Sequence, residues 1–216
     1  MGFIQWPVSS KIKALYHLND VNDSSGNNYT LTNNGTVAFA LGKFGNCGVF
    51  ASGKYLNVAS TFGINPLTGA YSISAWVKPT AQPSSGAYFG IFAIEATSAR
   101  GIHLFYYNNS GTYQITGSYS GNTITGTYTL SSNTWYQIVF TSSAAGAGAI
   151  YVNGAKIATA SRGTNSTPRN DIFGIGWGWT TAAKYFTGSI DEVVIHNVEL
   201  SPKQVLLRYA FEKGLL

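Results

Sequence analysis

The chain has 216 residues, of which only 10% are charged, against a usual share of about 25%, and it carries 25 glycines, 14 tyrosines and 12 phenylalanines. That composition excludes a helical protein and fits a sandwich or barrel with many turns, with length enough for one large β domain or two small ones. The net charge of +5 comes from scattered side chains, with no basic run, so nucleic acid is not an expected partner.

Taken from the start, Met1–Ser10 reads as an arm: Phe3, Ile4, Trp6 and Pro7 are apolar but follow no period. The arm either packs back on the domain or docks on a neighbouring subunit. Its MGFIQWPVSSKIK has no basic n-region or long apolar stretch, so no signal peptide is read in this chain. Residues 11–216 show no break in composition and are read as a single domain. Ala14–Leu18 is a first strand, followed by a turn holding Asp20 and Asp23. Short strands follow, broken by Asn33-Asn34-Gly35 and by Gly42, Gly45 and Gly48. In Ser72–Val77, Ile73, Ala75 and Val77 share one face and Trp76 takes the other. Tyr88–Ile94 and Gly101–Tyr107 are apolar runs of strand length, and Thr112–Leu130 should give two or three exposed strands. Trp135–Thr141 reads as a central strand. Ile150–Ile157 is a hairpin around Asn153-Gly154, a pair suited to a type I′ turn. Asp171–Trp179 resumes a strand.

The last stretch is the most informative. Ile190, Val193, Val194 and Ile195 are apolar on both faces of a strand, which suits the interior of a sheet. A short helix follows with Ser201 as N-cap, Pro202 at N1, Gln204 at N3 and Gly214 as C-cap glycine. About twelve to fourteen strands with short turns predict an all-β fold of two packed antiparallel sheets with one short C-terminal helix. Cys47 is the sole cysteine, which excludes an internal disulfide. No apolar run approaches the ~18 residues of a membrane span, so no membrane insertion is expected.

Several stretches together resemble the concanavalin-A-like lectin/glucanase superfamily, in its laminin-G-like jelly-roll branch. They are Asp23–Asn27 (DSSGN), Gly42–Gly45 (GKFG), Ser72–Pro79 (SISAWVKP), the Trp135-Tyr136 pair with the IYVNGAKIA hairpin, and above all Gly188–Val205 (GSIDEVVIHNVELSPKQV). The resemblance spans about residues 14–210 and implies a jelly-roll sandwich whose first strand meets the Asp191–His196 strand. Fold resemblance alone licenses no activity.

Glucanase relatives carry acids in a pattern like E-x-D-x-x-E, because a glycosidase needs one carboxyl as acid and another as nucleophile or base. The acids here are Asp20, Asp23, Glu95, Asp171, Asp191, Glu192, Glu199 and Glu212, and none repeats that pattern. Asp191 and Glu192 are neighbours on a strand and so point to opposite faces. His17, His103 and His196 are isolated. A non-catalytic chain is expected. Relatives of this fold hold calcium near the joined termini, and Asp191, sharing a face with Val193 and Ile195, is the candidate ligand for Ca2+, with carbonyls around Gly42–Gly45 completing the site. The alternative is that Asp191 accepts backbone N–H groups and ties down a turn.

Trp177 and Trp179 alternate with Gly176 and Gly178, which puts both indoles on one face. Aromatic platforms stack on sugar rings, and Tyr106 and Tyr107, with Tyr88 and Tyr113, would extend this one. The alternative is that Phe173, Ile175, Trp177 and Trp179 form the inward row of a buried strand. Two functions stay open. One is a glycan-binding recognition or adhesion module on a virion surface, a cell surface or outside the cell. The other is a structural virion or assembly protein whose partner is a neighbouring subunit, as a homo-oligomer or part of a larger assembly.

Overall fold

The computed structural model describes residues 9–65, 68–95, 102–119, 122–163, 172–178 and 184–215; most of the arm at residues 1–10 lies outside them. After a 3-10 turn at Ser9–Lys11 the strands are β1 (Ile12–Tyr16), β2 (Thr32–Asn34), β3 (Ala38–Leu41), β4 (Asn46–Phe50), β5 (Tyr55–Val58), β6 (Tyr71–Pro79), β7 (Tyr88–Glu95), β8 (Ile102–Asn109) and β9 (Thr112–Tyr119). They continue as β10 (Asn122–Thr127), β11 (Tyr136–Ser142), β12 (Ala147–Val152), β13 (Ala155–Ser161), β14 (Ile172–Ile175), β15 (Trp177–Gly178), β16 (Lys184–Tyr185) and β17 (Gly188–His196), before helix α1 (Pro202–Glu212).

Two large antiparallel sheets result. The eight-stranded sheet runs β13-β12-β11-β6-β17-β4-β3, with β1 also on β17, and the seven-stranded sheet runs β10-β9-β8-β7-β14-β5-β2. The period-two pattern of β6 holds: Ile73, Ala75 and Val77 join the core between the sheets, while Trp76 stays out of it. Ile138 and Phe140 of β11 join them from one sheet, and Leu104, Tyr106, Phe173 and Ile175 from the other. Burial of each of the Ile, Leu, Val and Phe side chains among them stabilises by roughly 1.5–3 kcal/mol. The β12–β13 hairpin turns at Asn153 (φ 50°) and Gly154 (φ 80°), both in the left-handed region as a type I′ turn requires. β10 is exposed along most of its length, as expected, with Ile124 turned into the core, whereas β9 is more covered than its polar sequence suggests, with Ile115 in the core and Thr116 and Gly117 buried.

β17 lies inside its sheet, as its apolar sequence predicts. One edge pairs with β6; the other pairs with β4 through Gly188–Ile190 and with β1 through Val193–His196. The partner changes at an irregularity between Asp191 and Val194, where Glu192 takes φ 49°. That extra residue resets the alternation. Ile190, Val193 and Ile195 all face the core, whereas Asp191 pairs with Trp76 on the outer face. The expectation that Asp191 shares a face with Val193 and Ile195 is thereby corrected.

Helix α1 covers the outer face of the eight-stranded sheet. Leu200 and Val205 pack there with Val139, Ala149 and Tyr151. Ser201 and Gln204 form the capping box, the Ser201 amide donating to Gln204 Oε1 at 2.8 Å and the Gln204 amide to Ser201 Oγ at 3.3 Å. At the other end the Gly214 amide donates to the Phe211 carbonyl (2.9 Å) and the Leu215 amide to that of Ala210 (2.8 Å), the Schellman pattern that a glycine at C′ permits. Glu212 latches the helix to the sheet. Its carboxylate accepts from Trp76 Nε1 (2.7 Å), Gln137 Nε2 (2.6 Å) and Arg208 Nε (2.7 Å).

Removing that acceptor strands three buried donors, one of them charged. Glu212→Ala should cost roughly 3–5 kcal/mol in urea unfolding, against less than about 1 kcal/mol for an exposed change such as Lys203→Ala.

His196, 3% exposed, also lies under the helix. Burial, with help from the Arg208 cation, lowers its pKa to about 3. A depressed histidine stabilises the fold fully above its unfolded pKa of about 6.5 and loses that contribution as pH falls toward the folded value. His17 works in the opposite sense, because its hydrogen bond to Glu192 raises its pKa. The His196 effect is therefore read as a difference: between pH 7 and 4 the melting temperature of the wild type should fall further than that of His196→Gln.

Candidate functional site on the outer face of the seven-stranded sheet

β14 puts Phe173 and Ile175 into the core. The strand then ends, because Gly176 takes φ 70° and turns the chain over. Trp177 lands on the opposite, outer face, where its indole lies on Gly174; any side chain at that glycine would run into the ring. The β15–β16 ribbon lies flat on β7 at Gly90, where a Cβ would meet the backbone of Trp177, Gly178 and Lys184. Two residues without side chains thus make room for an aromatic layer on top of the sheet.

Tyr55 stacks on Trp177 with ring centroids 5.0 Å apart and also approaches Tyr185 at 6.0 Å. Farther along, Tyr88 and Tyr107 are cross-strand partners stacked at 4.0 Å and 11°. Phe105 meets Tyr88 edge-on at 5.5 Å, and Lys184 Nζ sits 4.2 Å from the Tyr88 centroid. Trp177 and Phe105 are buried, at 8% and 3% exposure, while Tyr55, Tyr88, Tyr107, Lys184 and Tyr185 are half-buried. The band therefore has a fixed floor and a rim that solvent reaches. Burial, reinforced by Tyr107, raises the Tyr88 pKa, so that phenol remains a neutral hydroxyl.

The predicted platform residues separate accordingly. Trp177 belongs to the band and not to an inward row with Phe173 and Ile175. Tyr107 belongs to it as well. Tyr106 does not: it is wholly buried in the core, with its hydroxyl bonded to Gln82 and to the Leu130 carbonyl, because neighbours on a strand face opposite ways. Tyr113 stacks on Tyr106 at 5.7 Å on the core side. Trp179 lies outside the described residues. Tyr55, Phe105 and Tyr185 were missed. Tyr55 had a signal, as the neighbour of Leu56 in a short strand; Phe105 lies in a run too uniformly aromatic to show which face is outward, and Tyr185, in a two-residue strand, left no period to read.

Asp191 is fully buried. Its Oδ2 accepts from the amides of Lys43 (2.8 Å) and Phe44 (3.0 Å), and its Oδ1 from the amide of Glu192 (2.8 Å). Burial pushes its pKa up to about 6, against the pull of those N–H groups. The 42–45 loop is the one expected beside it, but it presents N–H groups where calcium needs oxygens. These residues do not fit a calcium at Asp191, and no group of three or more His, Cys, Asp or Glu among the described residues could hold a metal. Elsewhere, a cavity of about 380 Å³ opens beside the β11–β12 turn, lined by Thr68, small residues of 144–147 and Arg162. The Arg162 guanidinium donates to the Ser143 carbonyl at 2.6 Å and ties that turn down.

Adding calcium or a chelator should leave the melting temperature unmoved, while Asp191→Ala, which orphans three N–H groups, should cost at least roughly 2 kcal/mol. A calcium-dependent rise in melting temperature that Asp191→Ala abolishes would restore the metal reading.

Two packed antiparallel sheets with this strand order define a jelly-roll β-sandwich. The chain belongs to the concanavalin A-like lectin/glucanases superfamily, whose laminin-G-like family model matches residues 50–206. Among solved structures it is similar to domain 4 of AbnA, a GH43 extracellular arabinanase from Geobacillus stearothermophilus, solved in complex with arabinotriose. The identity is 26%, the match covers 91% of this chain and 97% of that one, and the TM-score is 0.69. It is also similar in fold to the binding domain of Paraclostridial Mosquitocidal Protein 1 (18% identity, 94% of this chain and 53% of that one, TM-score 0.73). The binding domain of botulinum neurotoxin DC, in complex with SialylT, gives 18% identity over 95% of this chain and 52% of its own, with a TM-score of 0.72. The chain thus spans about half the length of these toxin binding domains. No curated protein matches it in sequence.

Proposed function

We propose that the protein is a non-catalytic, glycan-binding module that works through the aromatic band on its seven-stranded sheet. The observation that carries this reading is the half-buried rim of Tyr55, Tyr88, Tyr107 and Tyr185 over a fixed floor of Trp177 and Phe105. The solvent-reached parts of these packed rings offer apolar surface to the C–H groups of sugars, and packing against their neighbours limits the entropy they lose on binding. The AbnA domain, 26% identical and solved with arabinotriose, supports the same ligand class. The carboxylates nearest to one another in sequence have other duties: Asp191 holds three amides and Glu192 pairs with His17 at 2.6 Å. Display on a virion or cell surface suits the sparse charge, and a homo-oligomer would multiply weak sugar contacts.

A second reading, an assembly component with no glycan ligand, draws on the opposite side of the molecule. Helix α1 and the residues after it expose Leu206 (52%), Leu207 (40%), Phe211 (40%) and Leu215 (67%), a surface suited to a neighbouring subunit.

A glycan array separates the two. The wild type should bind a discrete set of oligosaccharides, and Tyr107→Ala should weaken that binding roughly tenfold with only the small loss of stability of a cross-strand pair, about 1 kcal/mol. Tyr106→Ala, one residue away, should instead cost roughly 3–5 kcal/mol of stability. Silence on the array together with a stable oligomer by light scattering would replace the glycan reading with the assembly one.

A further inference from the structure

We infer that the sugar taken by the aromatic band carries an anionic group, a carboxylate or a sulfate ester, and that Lys184 is the residue that reads its charge. This inference rests on the glycan-binding reading above and specifies its ligand.

The geometry is a row across four strands. Tyr107 of β8 pairs with Tyr88 of β7 on one side and with Gln114 of β9 on the other. The next residue after Gln114, Ile115, faces the core, so Gln114 shares the outer face with Tyr107. Tyr88 already has Tyr107 stacked 4.0 Å from it, so the Lys184 ammonium, 4.2 Å from its centroid, takes the ring's other face. A sugar resting beside the Tyr88–Tyr107 pair therefore has a cation at one end and a primary amide at the other. An ammonium held on an aromatic face is partly stripped of water and stays in place, which suits it to meet an anion.

Among the described residues, no acidic side chain pairs with Lys184; the pairs present are His17–Glu192 and Arg208–Glu212. The described acidic side chains belong to the other sheet: Asp20 and Asp23 follow β1, Asp191 and Glu192 are on β17, and Glu199 and Glu212 flank or lie on α1. Glu95 ends β7, the strand that Tyr88 begins, which puts its backbone roughly 23 Å away. A neutral oligosaccharide would use the aromatic band and leave the ammonium without a counter-charge. An acidic one uses both, and a matched charge raises affinity and specificity together.

The test is an array of neutral, carboxylated and sulfated oligosaccharides, followed by calorimetry on the best acidic ligand and on its counterpart lacking the acidic group. The wild type should favour the acidic member by roughly tenfold or more at low salt, and the margin should shrink at high salt. Lys184→Gln should erase the margin, lowering the affinity for the acidic member far more than that for its neutral counterpart, and Lys184→Arg should keep most of the margin. Equal binding of both members by the wild type, or an unaltered margin in Lys184→Gln, overturns the inference while the glycan reading stands. No binding anywhere on the array overturns both.

Discussion

A single buried carboxylate organises the centre of the larger sheet. Asp191 sits where β17 exchanges β4 for β1, and the backbone there cannot satisfy all its amides through a regular ladder. The carboxylate accepts the amide of Glu192 across the irregularity and the amides of Lys43 and Phe44 from the loop between β3 and β4. Phe44 is thereby held edge-on to Trp76 at 6.1 Å, and Trp76 in turn donates to Glu212 of the helix. Closure of the chain ends, docking of the loop and docking of the helix therefore converge on neighbouring residues of β6 and β17. Burial of a charge is costly unless it is paired and hydrogen-bonded, and here three amides offset part of a cost that still pushes the pKa up to about 6.

The parts of this architecture that follow local rules were legible in sequence. The alternation of Ser72–Val77, the Asn153-Gly154 turn and the Ser201–Gln204 capping box each depend on a few adjacent residues, and each is present. What escaped were positions where the two-residue period is reset. Glu192 adds a residue to β17 and moves Asp191 to the outer face. Gly176 does the same after β14 and lifts Trp177 out of the row that Phe173 and Ile175 begin. Both residues take a positive φ, yet nothing in the sequence says that Glu192 must. The Tyr106–Tyr107 pair was ambiguous for a simpler reason: adjacent tyrosines give no sign of which faces inward until the strand's register is known.

The fold and the candidate site also differ in how they could be read. A sheet core depends on patterns within strands, whereas the aromatic band is assembled from β5, β7, β8 and a two-stranded ribbon far apart in the chain. Its feasibility turns on Gly90 and Gly174, which look like ordinary weak points in strands. Only their cross-chain contacts reveal them as clearances, one for a backbone and the other for an indole.

The two outer faces of the sandwich are thereby unlike. One is sealed by α1, whose far side exposes leucines and a phenylalanine; the other carries half-buried tyrosines and a lysine. Apolar side chains with no hydrogen-bonding capacity suit a permanent protein contact, since they gain only from exclusion of water. Tyrosine and lysine keep polar tips and tolerate being wet, which suits a ligand that comes and goes. A module attached through its helix side would hold the aromatic side away from whatever carries it. The recognition and assembly readings then describe opposite faces of one molecule, and each face can be altered without touching the other.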